Sequence, residues 1–141
     1  MSAVSLTRRV TFSAVHRYRR PEWSDAKNEE VFGHVSLTRD HAHEYSCDVT
    51  VTGAIDETTG MVLNLRELDR ALRTEVLDRF DHKNLNNDVA EFADGKQIPT
   101  CENIARLVAS TLQRALGTAV KVAAVTVAEN PTLSATWRAE G

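Results

Sequence analysis

The chain has 141 residues, 42% of them hydrophobic and 26% charged, which suits one compact domain over residues 1–141 better than two. Seventeen basic against twenty acidic side chains give a formal charge of -3, which excludes the broad basic surface that sequence-independent nucleic-acid binding needs. No apolar run is long enough to span a bilayer, and MSAVSLTRRVTF lacks the order of a signal peptide, so a cytoplasmic protein with neither nucleic-acid nor membrane partners is expected.

The first predicted element is a strand from Leu6 to His16, in which Leu6, Val10, Phe12, Ala14 and His16 share one parity and Ser5, Thr7, Arg9, Thr11 and Ser13 the other. A polar connector follows, with Ser24 placed to cap a short helix from Asp25 to Phe32. Residues 41–55 alternate again. His41, His43, Tyr45, Cys47, Val49, Val51 and Ile55 share one face, opposite Glu44, Ser46, Asp48, Thr50 and Thr52. Leu65, Leu68, Leu72, Val76 and Phe80 then recur at helical spacing. A second long helix begins at a Thr100 cap after Pro99 and ends at Gly117. Two strands, about 119–129 and 132–139, close the chain as a hairpin around Asn130 and Pro131.

No internal repeat or linker interrupts this order. Apart from the short connector helix, the elements run ββααββ, an α+β layer pair in which a four-stranded antiparallel sheet carries two helices on one face. A sheet this small has edges that need pairing, so an oligomer joined through them is expected.

The histidines carry the first chemical signal. His-x-His on a strand puts both rings on one face, roughly 7 Å apart along the strand. His41 and His43 do this, and His16, at the end of another strand with the same apolar parity, can join them if the two strands pair antiparallel. Three neutral imidazoles with a fourth position open describe a catalytic zinc site. Ordinary strand-end histidines, packed by the ring body and wetted at the nitrogens, fit the same spacing.

Asp81-His82 follows the first long helix, where a carboxylate beside an imidazole can orient a general acid or base. A helix C-terminus running into an Asn-rich turn is the simpler account of the same residues. Glu129 ends an alternating strand; buried there it could accept paired N–H groups of a planar heterocycle, although exposed strand-end glutamates are the commoner case. The only cysteines, Cys47 and Cys101, are too few and too isolated for a disulfide framework or a thiolate metal site.

Taken together, FSAVHRY, FGHVSLTRDHAHEY, TGMVLNLRELD, FDHKNLNND, IPTCENIA and VTVAENPTLSATW resemble, in order and over nearly the full length, the 6-pyruvoyltetrahydropterin synthase family. That family also includes the bacterial 6-carboxytetrahydropterin synthases of queuosine precursor synthesis. The resemblance implies a T-fold subunit whose sheets assemble into an oligomeric barrel, as trimers stacked into a homohexamer with active sites between subunits. It implies Zn2+ on His16, His41 and His43, and 7,8-dihydroneopterin triphosphate as substrate. By the same resemblance Glu129 anchors the pterin ring, Thr100 and Glu102 line its pocket, and Asp81 with His82 assists proton transfer. The activity implied is that of a lyase that eliminates triphosphate.

One position departs from the family. The catalytic cysteine before the His-x-His is replaced by Val35, or by Leu37 if the shorter bacterial spacing applies, and neither accepts a proton. Cys47 lies roughly 13 Å beyond His43 along its strand and is a poor substitute. Cys101 stands in the first turn of a predicted helix, where the dipole favours thiolate, although a small residue filling a threonine site is the simpler reading. His34 is the other candidate base, and Glu29 and Glu30 lie upstream of the position that glutamate takes in side-chain-cleaving relatives. Alternatives are therefore a 6-carboxytetrahydropterin synthase, an aldolase-like pterin enzyme and a non-catalytic zinc and pterin binder, with a zinc hydrolase on an unrelated fold ranked last. Arg17, Arg19, Arg20 and Lys83 are the candidate cations for the triphosphate.

Overall fold

Alternating apolar residues need a partner layer, and the helical stripes supply one. In a computed structural model, which describes residues 3–33 and 40–141, the chain forms β1 (Val4–His16), α1 (Asp25–Phe32), β2 (His41–Gly53), α2 (Leu65–Leu72), α3 (Asp78–Phe80), β3 (Lys83–Asn84), α4 (Leu85–Asp88), α5 (Cys101–Leu116), β4 (Lys121–Asn130) and β5 (Leu133–Arg138). The sheet order is β3-β1-β2-β4-β5, antiparallel except where β3 lies parallel to β1. Phe12, Tyr45, Val49, Val125 and Val127 of the sheet share one buried core with Leu68, Leu72 and Val76 of the first helical run and Ile104 and Leu112 of α5. The other face is polar, with Thr7 and Thr50 hydroxyls 2.7 Å apart and Arg9 paired to Asp48 at 2.6 Å.

Two expectations are corrected here. Among the described residues the sheet has five strands, because Lys83 and Asn84 add a two-residue strand beside Ala14 and Val15 that is too short to show alternation. Besides the expected connector helix α1, the described residues form more helices than the two long ones. The run from Leu65 to Phe80 is broken by a π-helical turn at Arg73–Leu77, and short α1 and α4 flank the sheet end that carries the histidines. Within one chain the sheet is open, not a closed barrel. No helix among the described residues is long and apolar enough to cross a membrane.

Local chemistry sets the boundaries. The Ser24 hydroxyl accepts from Lys27 N–H at 3.1 Å to start α1, and the Thr100 hydroxyl accepts from Asn103 N–H at 3.1 Å to start α5. Gly117, at φ 74°, ends α5 in a left-handed conformation that favours glycine. The connector after β1 is held by Asn28, a fully buried side chain that accepts from Arg20 N–H and donates to the carbonyls of Arg20, Trp23 and Ser24.

The pairing of β1 with β2 positions the functional residues. His16 is directly opposite His41, and Ala14 opposite His43. In β4 the register slips by one between the partners of Thr50 and Val51, leaving Ala123 as a bulge. The bulge changes the phase of the strand, so that Val125, Val127 and Glu129 all turn to the buried side.

Candidate metal centre

The last residue of β1 and the first and third of β2 bring three imidazoles together. One ligand-capable nitrogen from each of His16, His41 and His43 lies within 4.8 Å of the other two. Ring centroids are separated by 4.5 Å for His16 and His41, 4.9 Å for His16 and His43, and 5.0 Å for His41 and His43.

His16 is fully buried. Its Nδ1 is 3.2 Å from the Pro99 carbonyl oxygen and 2.8 Å from the Tyr45 hydroxyl. A carbonyl oxygen only accepts, so Nδ1 carries the hydrogen and Nε2 keeps its lone pair, 3.0 Å from His41 Nε2. Burial, and then the neighbouring His41 and His43, lower the His16 pKa from 6.5 to about 4. The ring is therefore neutral at pH 7, as a ligand must be.

Glu129 borders this cluster and is 9% exposed. Its Oε2 is 3.0 Å from His43 Nε2, near enough for attraction but not aligned with the ring N–H direction, so this buried nitrogen makes no hydrogen bond. Its Oε1 is 3.6 Å from Cys101 Sγ, the thiol donating. Tyr18, two residues beyond His16, packs 4.8 Å from that ring, and burial followed by the nearby Glu129 carboxylate, which its hydroxyl also meets, raises its pKa.

The donor set suits a metal. It offers a neutral, buried imidazole oriented by a carbonyl and a phenol, and a second buried ring nitrogen without a hydrogen bond. The residues that would hold the ion are His16, His41 and His43.

The remaining nominated residues distribute unevenly. Thr100 and Glu102 begin α5 beside the cluster, but the Thr100 hydroxyl is occupied as the helix cap and Glu102 is exposed. Asp81 accepts from Ser13 N–H at 3.0 Å, and His82, at φ 60°, donates its own N–H to Ser13 O at 2.7 Å. The two side chains are 3.6 Å apart with His82 82% exposed, so within one chain the pair stands at the outer edge of β1. Arg17, Arg19 and Arg20 are paired with Asp40, Asp25 and Glu22. Lys83 is exposed.

The thiolate reading of Cys101 is overturned: burial and the Glu129 carboxylate push its pKa up to about 12. Cys47 lies in the core and burial pushes it up to about 12 as well. His34, Val35 and Leu37 lie outside the described residues. Sequence reasoning missed Tyr18, Tyr45 and the Pro99 carbonyl as surroundings of the site, although Tyr18 shares the parity of His16 and Tyr45 that of His43. A groove of about 1040 Å³ between α5 and the β4–β5 end is remote from this chemistry. Its Gln113 is consumed by bonds to Gly117, Val120 and Val122.

Residues 5–140 match the family model described as 6-pyruvoyl tetrahydropterin synthase. The chain belongs to that family. It is 51% identical over 100 residues to the 6-pyruvoyl tetrahydrobiopterin synthase of Drosophila melanogaster, a match covering 71% of this chain and 58% of the fly protein. The Homo sapiens 6-pyruvoyl tetrahydrobiopterin synthase is 40% identical over 111 residues, covering 79% of this chain and 75% of the human one. The structure of Caenorhabditis elegans 6-pyruvoyl tetrahydropterin synthase superposes with a TM-score of 0.90 at 34% identity, over 99% of this chain and 98% of the worm chain.

Proposed function

We propose that the chain is a zinc-dependent lyase of the 6-pyruvoyl tetrahydropterin synthase type that acts on 7,8-dihydroneopterin triphosphate. The observation that carries this reading is the cluster of His16, His41 and His43 with the buried Glu129 beside it. A bound divalent ion supplies Lewis acidity, making the C–H bonds next to a side-chain hydroxyl easier to deprotonate. Three imidazoles without thiolate or carboxylate favour zinc for that task.

The protein's own groups do the rest. Glu129 accepts the N–H groups of the pterin ring, and Thr100 and Glu102 line its edge. Asp81 orients His82, which passes protons between the side chain and solvent. His82 is far enough out in one chain that an active site completed between subunits of a homohexamer suits it, and a cytoplasmic setting suits the neutral thiols. The side-chain proton leaves, its electron pair moves toward the ring imine, and triphosphate departs.

Val35 supports a second reading, in which the protein holds the pterin without turning it over. Incubating purified protein with dihydroneopterin triphosphate and weighing the products decides between them. Release of triphosphate with 6-pyruvoyltetrahydropterin is the expected result. A side chain shortened to carboxylate identifies the queuosine-type reaction, a cleaved side chain the aldolase-like one, and unchanged substrate the binder.

A further inference from the structure

His16 and His41 are the last cross-strand pair of the β1–β2 ladder. Beyond them one strand runs into the connector and the other into the segment before residue 40, so nothing in the ladder itself keeps this end closed. The next two residues in the same register are Arg17 and Asp40, and their side chains meet: Arg17 Nη1 is 3.2 Å from Asp40 Oδ2.

This pair is braced from the adjacent segment. The buried Asn86 accepts from Arg17 N–H at 2.8 Å and donates to Arg17 C=O at 3.1 Å, so its amide fixes the backbone immediately after His16 as a neighbouring strand would. Asn84 donates its side-chain N–H to Asp40, immediately before His41. The same Asn84 accepts from the N–H groups of Asn86 and Asn87 with its oxygen, which ties both braces into one corner. Arg17 Nη2 also donates to Asp94 at 3.1 Å and Asn87 at 3.0 Å. The guanidinium is thus surrounded by acceptors of its own chain, a poor arrangement for capturing a triphosphate and a good one for holding two backbones together.

We propose that Arg17 and Asp40, braced by Asn84 and Asn86, are positioning residues that hold His16 and His41 at metal-binding separation. The inference rests on the metal-site reading above. It assigns a role to the NLNN segment that neither proton transfer nor substrate contact requires.

The test uses the full-length protein loaded with Co2+, whose visible d–d bands report coordination geometry, and with Zn2+ in competition against a chelator. Asp40→Ala and Arg17→Ala should each weaken zinc binding about tenfold or more and alter the cobalt bands, with all three histidines intact. The double variant should lose less than the sum of the two single losses, because the Arg17–Asp40 contact is common to both. If Asp40→Ala fails to fold, Asp40→Asn, which keeps an acceptor for Asn84 but removes the charge facing Arg17, serves in its place with a weaker loss.

A variant that melts earlier yet keeps wild-type cobalt bands and zinc affinity overturns the clamp and leaves the metal site standing. A wild-type protein that takes up neither ion overturns the metal-site reading and the clamp with it.

Discussion

The Tyr45 hydroxyl is 2.8 Å from His16 Nδ1, on the side of the ring opposite the nitrogen that faces the other imidazoles. Tyr45 follows His43 by two residues on β2, so the strand that supplies two candidate ligands also orients the third. The Pro99 carbonyl, which can only accept, sets the hydrogen on Nδ1, and the phenol adds a second contact that holds the ring in place.

Tyr45→Phe should therefore keep the fold and weaken the metal. The lost hydrogen bond costs about 1 kcal/mol of stability, and outer-shell losses of this kind typically cost about 10- to 100-fold in metal affinity. Chelator competition on the purified variant measures it; unchanged affinity would show that Pro99 alone orients the ring.

Acidification should destabilise the metal-free protein in a defined window. His16 has a folded pKa of about 4 against an ordinary 6.5, so between those values the unfolded chain takes up a proton that the folded chain does not. Stability contributed by neutral His16 is complete above pH 6.5, is lost as pH falls through the window, and levels off below about 4. At 1.36 kcal/mol per unit the loss is about 3 kcal/mol at most. Denaturant midpoints of chelator-treated protein should drop over this range, and His16→Asn should flatten the drop; parallel curves for the two proteins would contradict the assignment.

Glu129→Gln separates ring recognition from metal binding. The carboxylate approaches His43 but is not counted among the imidazole ligands, so the variant should retain metal while losing dihydroneopterin triphosphate affinity by about 10-fold or more, the cost of removing a charged acceptor. Calorimetric titration with the substrate, alongside metal analysis, reads both. Loss of the metal in this variant would make Glu129 part of the metal site itself.

Val35→Cys places a thiol where the sequence resemblance implies the family's catalytic cysteine. Turnover of dihydroneopterin triphosphate should rise if the rest of the pocket suits synthase chemistry. No change in rate would mean that the pocket is built for a different product.

Much of the architecture was legible because period-two and period-3.6 patterns leave few alternatives. The parity of His16, His41 and His43 placed three rings on one sheet face, and only the antiparallel register had to be supplied for them to meet. What stayed hidden depends on short elements or distant partners. The two-residue β3 has no alternation to detect, and the π-helical turn at Arg73–Leu77 leaves the leucine stripe of the long helix nearly unchanged.

The bulge at Ala123, which sets the phase of Glu129, has no glycine or proline to mark it. Arg17 looked like a free cation because its partner Asp40 lies 23 residues away, and an activated Cys101 stayed open as the lesser reading because the facing Glu129 is not visible in sequence.

The most direct measurement is elemental analysis of the protein purified without chelator and supplemented with zinc, compared with His41→Ala. The account predicts about one zinc per wild-type chain and its loss in the variant. A wild-type chain that binds none, or a variant that binds as much as wild type, would contradict it.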